Sequence, residues 1–370
     1  MLPSLVEMHI HGAGQFGFEN ITQPAELLQI SQFLESKGIG CFVPTMLWDK
    51  KSVVRLVDVI RAVDNRCADG RQSGDNQACI PGIYLEGSFV NHVKRGGIAE
   101  ESILSPDPQI ALDILKASEG LLKICAIAPE LPGIEAIYPI FQDAGVLVSL
   151  GHSNTTLSAI RPPFHPFSIT HLFNAISGID HKEGGLANFV LSGTPDFIEL
   201  NSDGIHVNAS CLALSAKLIP EDSLILISDA VIGAELPYGE FSYYGQKVVS
   251  SERGVRYTDS DTLIDSNKLG IDIVKNFFAV TRISLCRSVK AMSLVPRKAL
   301  GLAREYGSIE IGKKVDIFIW DKEMRVAARP ESFLEQKAGC LECTDIAFRY
   351  SLLKKMRKRN EHCAARFSGA

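Results

Sequence analysis

Histidine and carboxylate side chains that could share one divalent cation stand where apolar runs of the chain stop. VLVSLGH ends at His152, and SITHLF carries His171; neutral imidazole is the commonest protein ligand for zinc and related ions. Either histidine alone reads equally well as a hydrogen-bonded core or loop residue, so the argument rests on the others. MHIHG supplies His9 and His11, two residues apart and therefore on one face of a strand. That spacing is a weak signal by itself, yet two imidazoles on an inward face are costly to bury unless bonded to something. YLEG places Glu86, and LISDA places Asp229, at the ends of two more runs. A buried carboxylate needs a partner, which a cation provides; the competing role for Asp229 is a helix N-cap. Nitrogen and oxygen ligands with a position left for water make a catalytic rather than a structural site. The metal lowers the pKa of water towards ~7 and polarises a carbonyl, while an unligated carboxylate, here Asp229, moves the proton from water to a leaving amine. The chemistry that follows is hydrolysis.

These residues are far apart in sequence, so the elements must gather them. Strand-like runs fall at 5–11, 39–45, 80–86, 121–128, 146–152, 168–173, 197–203 and 224–230. Between them lie helical patterns, such as PAELLQISQFLESKG with Pro24 at its start and Gly38 after its end, and DKKSVVRLVDVIRAVD with Asp49 as N-cap. Near-continuous aliphatic strands separated by helices predict an α/β fold with a parallel sheet, and eight of them predict a closed (β/α)8 barrel. Functional residues of that fold sit at the carboxyl ends of the strands, so the candidates would point into one mouth. RPPFHPF, after His152, cannot hold a full helix because prolines break it. Further on, residues 235–260 read as a polar hairpin insertion, 266–279 as a helix, and 288–306 as more helix. GSIEIGKKVDIFIWDKEMRV alternates with period two around a Gly-Lys-Lys turn and reads as a small β unit.

The 370 residues, 46% hydrophobic and 22% charged, suit a large core with a small appendage. A net charge of -5 gives no basic footprint for nucleic acid. Nine cysteines are scattered, with one CxxC at Cys340 and Cys343, which favours a reduced cytosolic pool over disulfides; Cys67 and Cys79 could close a polar loop. The start, MLPSLVEMHIHG, has no basic region leading into an apolar core, and no apolar run reaches ~18 residues, so the expected location is the cytoplasm, with no membrane partner. The KKMRKR run near the end reads as part of a solvated tail rather than a nucleic-acid or membrane patch.

Over roughly residues 5–325 the chain resembles the amidohydrolase superfamily, and within it the N-acetylglucosamine-6-phosphate deacetylases. MHIHG, YLEGSFVN, SLGHSN, THLFNA, SDGIHV, ISDA and GSIEIGKKVDIFIWD follow the family's order. The resemblance implies a (β/α)8 barrel of the metal-dependent hydrolase type over 1–305, a small, incomplete β-sandwich over 306–330, and a basic tail over 331–370. It implies removal of the acetyl group from N-acetylglucosamine 6-phosphate. Glu86, His152 and His171 would be the principal metal ligands, His9 and His11 ligands of a second ion, and Asp229 the acid/base. Zinc comes first among the ions, with iron and cobalt compatible. It further implies a homodimer binding the sugar phosphate partly across its interface. Gly97, Asn174, Ala175, Leu263, Ile264 and Asp265 would lie against substrate and His206 near the phosphate. Lys182 would replace an arginine supplied by the neighbouring subunit.

Four positions depart from that pattern. Lys182 keeps a positive charge without the planar two-pronged grip of arginine. Ile98 stands where the family has a histidine near the scissile carbonyl, and it can donate no hydrogen bond. Ser88 replaces a proline, and Asp265 a glycine beside the substrate, where a carboxylate would repel phosphate. Family members also begin with strands that complete the β-sandwich, so the strands of 308–327 are expected to have an unpaired edge. The alternatives are deacylation of another N-acyl sugar or cyclic amide, or a weakened sugar-phosphate-binding homologue.

Overall fold

The computed structural model describes residues 1–63, 77–193 and 195–328. Eight parallel strands form one sheet: β1 (Leu5–Ile10), β2 (Ile39–Leu47), β3 (Ile83–Phe89), β4 (Leu122–Ile127), β5 (Leu147–Leu150), β6 (Ser168–Ile169), β7 (Phe197–Asn201) and β8 (Leu224–Ile227). They lie side by side in chain order. The sheet closes through a parallel bridge between Ile10 and Ala230, where the Asp229 amide donates to the His9 carbonyl at 3.1 Å and the His11 amide to that of Ala230 at 2.7 Å. Every residue of β1, β2 and β3 is buried, as aliphatic strands covered on both faces must be.

The two faces carry different cores. Val6, Met8, Val43, Tyr84, Ile124, Ala126, Ile225 and Ile227 fill the barrel interior, while Leu5, Ile10, Phe42, Leu85 and Leu226 pack outward with the helices. Along β1, Met8 and His9 both belong to the interior because the register with β2 slips between Glu7 and Ile10. That bulge turns His9 and His11 to the same inward face, which strict alternation from Met8 would not do.

Helix α1 (Pro24–Ser36) has Pro24 in its first turn, and Gly38 follows its end with φ +81°. Its N-cap is Gln23, in a capping box with Glu26. Asp49 caps α2 (Lys50–Val63), its Oδ2 accepting from the Ser52 amide at 2.8 Å. After His152 the chain makes one short turn, Leu157–Ala159, and no helix before β6, as the prolines require.

Beyond β8, the expected hairpin is a four-stranded antiparallel sheet: β9 (Gly239–Tyr243), β10 (Gln246–Ser251), β11 (Gly254–Tyr257) and β12 (Leu263–Asp265). The fourth strand is short, and a bulge at Val255/Arg256 hid it from any alternating pattern. The next helix runs Gly270–Thr281, later than expected, because Ser266 bridges Ala230 and extends the strand region. Of the 308–327 run, only Ile317–Trp320 and Val326–Ala328 are strands. The edge of Ile317–Trp320 is not wholly unpaired as expected: the strand lies between Val326–Ala328 and the short strand Leu2–Pro3, which pairs with Ile317 and Phe318. Cys67 and the tail lie outside the described residues; Cys79 is disulfide-bonded, an exception to a fully reduced pool.

Candidate metal centre

Glu86, His152 and His171 meet at the mouth of the barrel. Nε2 of His152 lies 2.8 Å and Nε2 of His171 3.0 Å from Glu86 Oε1, and the two ring nitrogens are 3.1 Å apart. Nδ1 of His152 donates to the Lys94 carbonyl at 2.8 Å, and Nδ1 of His171 to the Asn174 carbonyl at 3.1 Å. Because carbonyls only accept, those bonds place the ring proton on Nδ1 and turn each Nε2 lone pair inward. With both rings neutral, three acceptors then face one another. Ligands about 2.0–2.1 Å from a tetrahedral ion stand roughly 3.3 Å from one another, close to this triangle. The residues fit a divalent cation.

A second group adjoins the first. Nε2 of His9 is 3.2 Å from Asp229 Oδ1, and Nε2 of His11 is 3.6 Å from the same atom and 3.2 Å from Glu86 Oε2. His9 Nε2 and Asp229 Oδ1 are buried, and neither makes a hydrogen bond. His9, His11 and Asp229 could hold a second ion. Behind His9, Glu199 Oε2 receives the Nδ1 proton at 3.0 Å, a carboxylate behind a ligating imidazole.

The backbone is strained where it presents these groups. His152, His171 and Asp229 have φ of +45°, +29° and +51°, each just past a strand end. Such conformations cost about 1–3 kcal/mol per residue and persist where the surroundings enforce them, most often at functional sites. Gly151, before His152, has no room for a side chain, since a Cβ there would come within 2.6 Å of Thr170 Cβ. Past Glu86, Gly87 turns with φ +92°, and the pairing of β3 with β4 shifts register between Leu85 and Phe89.

Charge and burial compete here. Burial works against charge on Glu86, yet His152 and His9 beside it hold its carboxyl well below the usual range. Burial likewise opposes a proton on His9, but Asp229, Glu199 and Glu86 outweigh it and raise its pKa well above that of free imidazole. Such a negative pocket favours a cation.

A cavity of about 180 Å³ opens over both groups. Gly97, Asn174, Ala175, His206, Leu263, Ile264 and Asp265 line it, together with Glu86, His11, His152, His171 and Asp229. His9 sits beneath it, fully buried. Lys182 is not brought to the cavity; it is exposed, and its amide donates to Asp180 Oδ1 at 2.8 Å. Ile98 is buried against Leu47 and Val90 at the cavity wall. Asp203 grips His206, accepting from Nδ1 at 2.8 Å and from the amides of Ile205 and His206, so that Nε2 is left without a partner. Burial and the neighbouring Asp229 push the Asp265 carboxyl up to about 7.

Sequence reasoning passed over Glu199, Asp203 and Tyr243. Glu199 and Asn201 alternate with Ile198 and Leu200 in FIELN, which was the available signal for a polar inward face on β7.

No family model matches the chain. N-acetylgalactosamine-6-phosphate deacetylase of Escherichia coli O157:H7 is 27% identical over 331 residues, covering 88% of this chain and 85% of that protein. N-acetylglucosamine-6-phosphate deacetylase of Mus musculus is 27% identical over 340 residues, covering 89% and 81%. The crystal structure of N-acetyl-D-glucosamine-6-phosphate deacetylase from Mycobacterium smegmatis superposes with a TM-score of 0.77 at 24% identity, covering 88% of this chain and 84% of that one. The structural likeness shows the shared barrel fold, and the curated homologues are the amino-sugar phosphate deacetylases that the motifs resemble.

Proposed function

We propose that this chain is a metal-dependent hydrolase that removes the acetyl group from N-acetylglucosamine 6-phosphate in amino-sugar breakdown. The observation that carries the reading is the inward triangle of Glu86 Oε1, His152 Nε2 and His171 Nε2, whose spacing suits three ligands of one cation, beside Asp229 Oδ1, which has no hydrogen bond among the described residues. Glu86, His152 and His171 would hold the principal ion, and His9 and His11 a second, with zinc first and iron or cobalt also suited to such ligands. A divalent ion there lowers the pKa of water and polarises a carbonyl.

Asp229 takes the proton of the attacking water and returns it to the leaving nitrogen. Gly97, Asn174, Ala175, Leu263, Ile264 and Asp265 form the walls against which the sugar lies. His206 suits the phosphate: Asp203 raises its pKa against the effect of burial, favouring the imidazolium. Lys182, exposed and away from its own cavity, would reach the phosphate of a neighbouring subunit in a homodimer. The barrel of 1–305 with a small β unit after it, working in the cytoplasm, completes the proposal; among the described residues no helix is long and apolar enough to cross a membrane.

The test is acetate release over a panel of N-acetylhexosamines, each with and without a 6-phosphate, alongside metal analysis of the purified protein. Acetate from N-acetylglucosamine 6-phosphate, with about one or two ions per chain, supports the reading. Bound metal with no turnover of any compound would refute it in favour of a sugar-phosphate binder. The Escherichia coli relative favours a second reading, in which the galacto epimer is the better substrate.

A further inference from the structure

Hydrolysis of an amide places negative charge on the acyl oxygen, and a donor aimed at that oxygen stabilises it beyond what a metal supplies. Much of the polar cavity wall is acceptor, from the carboxylates of Glu86, Asp229 and Asp265. Ile98 on the same wall has nothing to donate. Among the described residues that line the cavity, Nε2 of His206, Nδ2 of Asn174 and Nδ1 of His11 are buried without a hydrogen bond, and Tyr243 is the phenol on the same wall. His206, whose pKa Asp203 raises against the effect of burial, suits an anionic substituent better than a neutral carbonyl.

Tyr243 closes β9 and is 3% exposed. Its ring meets the His11 ring edge-on at 6.2 Å, and His11 Nε2 lies 3.2 Å from Glu86 Oε2, so the phenol borders the metal-ligating groups themselves. Neither neighbouring phenol lines the cavity. The hydroxyl of Tyr244 accepts from the Leu47 amide at 3.0 Å, and that of Tyr257 donates to the Gly97 carbonyl at 3.0 Å. No hydrogen bond joins the Tyr243 side chain to another described residue, and the residue lines the cavity.

We propose that the Tyr243 hydroxyl donates a hydrogen bond to the substrate's acyl oxygen as charge develops there. The inference rests on the deacetylase reading. Water oxygen bonds to the acyl carbon and gives a proton to Asp229; the carbonyl electron pair moves onto the oxygen, where the Tyr243 hydroxyl meets it. The pair then returns, the carbon–nitrogen bond breaks, and the Asp229 proton goes to the amine. Tyr243 neither gains nor loses a proton over the cycle.

Tyr243→Phe removes only the oxygen and keeps the ring against His11. Loss of one such donor lowers kcat and kcat/KM by about 10²–10³-fold. KM should stay within roughly threefold and metal content should be unchanged, because the bond forms in the transition state. Affinity for a tetrahedral phosphonamidate analogue of the N-acetyl sugar phosphate, read by calorimetry, should fall by the same factor as kcat/KM, while affinity for the product amine is kept. Wild-type turnover that Tyr243→Phe leaves intact, or a raised KM at constant kcat, overturns the role of Tyr243 alone. A wild-type protein that releases no acetate from any compound overturns the deacetylase reading and this inference with it.

Discussion

Glu199 Oε2 lies 3.0 Å from Nδ1 of His9, and neither side chain touches solvent. The carboxylate can only accept, so it fixes the His9 proton on Nδ1 and leaves the Nε2 lone pair facing Asp229 Oδ1 at 3.2 Å. Glu199→Gln removes the charge that would make His9 a strong ligand while preserving shape. Replacing a group behind a ligating histidine typically costs about 10–100-fold in metal affinity. We expect that loss for an ion at His9 and His11, measured by competition with a chelator. Equal affinities in the two proteins would make Glu199 merely a packing residue.

Glu86→Gln and Asp229→Asn should behave differently, though both change one buried carboxylate at the same mouth. Glu86 Oε1 stands 2.8 Å and 3.0 Å from two Nε2 atoms, so its amide would set an NH₂ or a weak oxygen against them, and metal content should drop. Asp229 lies outside that triangle. Asp229→Asn should keep the principal ion while turnover falls at least about a hundredfold, the usual scale for a lost general acid/base. Elemental analysis beside the acetate assay separates the two. Loss of the principal ion from Asp229→Asn would make that carboxylate a ligand.

Strand ends were the legible part of this site for three of its residues: His152, His171 and Asp229 each follow an aliphatic run, and in a parallel barrel such positions converge whatever their separation in sequence. Glu86, expected at the end of a strand over 80–86, sits instead in the middle of Ile83–Phe89. Their tautomers were not legible, because Lys94 and Asn174 contribute carbonyls, which every residue has. The inward turn of His9 depends on a bulge, and a bulge leaves no periodic trace. Tyr243 stayed hidden for another reason: FSYYG reads as a hairpin strand, and only the closed fold shows which of its two tyrosines lines the cavity.

The Asp203–His206 pair sets a pH window for stability. Burial opposes charge on both, yet each partner stabilises the other: Asp203 has a lowered pKa and His206 a raised one. The histidine's contribution is complete below its unfolded pKa near 6.5 and is lost as pH rises through the higher folded value. The aspartate's is present above its unfolded value and is lost as pH falls through the lowered folded one. Asp229 and Asp265 add to the pull on His206, and Lys268 donates to the Asp203 carbonyl at 2.7 Å. His206→Ala should therefore cost about 1.5–3 kcal/mol near pH 5–6, the scale of a charged hydrogen bond, and less at alkaline pH. Denaturant midpoints of both proteins across pH provide the check; a gap that widened towards alkaline pH would contradict this assignment.

At the opposite end of the barrel, Arg297 is 1% exposed and ties three segments together. Its guanidinium donates to the Ser4 carbonyl at 2.8 Å, the Ser293 carbonyl at 3.1 Å, Ser4 Oγ at 2.6 Å and Asp316 Oδ2 at 2.9 Å. Ser4 precedes β1 and Asp316 precedes the strand Ile317–Trp320, so one side chain pins the small sheet to the barrel. Arg297→Met keeps much of the volume but leaves the Asp316 carboxylate without its guanidinium. Breaking a buried ion pair from one side costs about 3–5 kcal/mol. Arg297→Lys should recover only part of this, since an ammonium cannot reproduce the planar fork that spans Ser4 and Asp316. Both variants should keep their metal, because the clamp lies away from the ligating groups. Urea midpoints for the two proteins give the measurement, and a midpoint for Arg297→Met equal to wild type would show that the small sheet docks without this clamp.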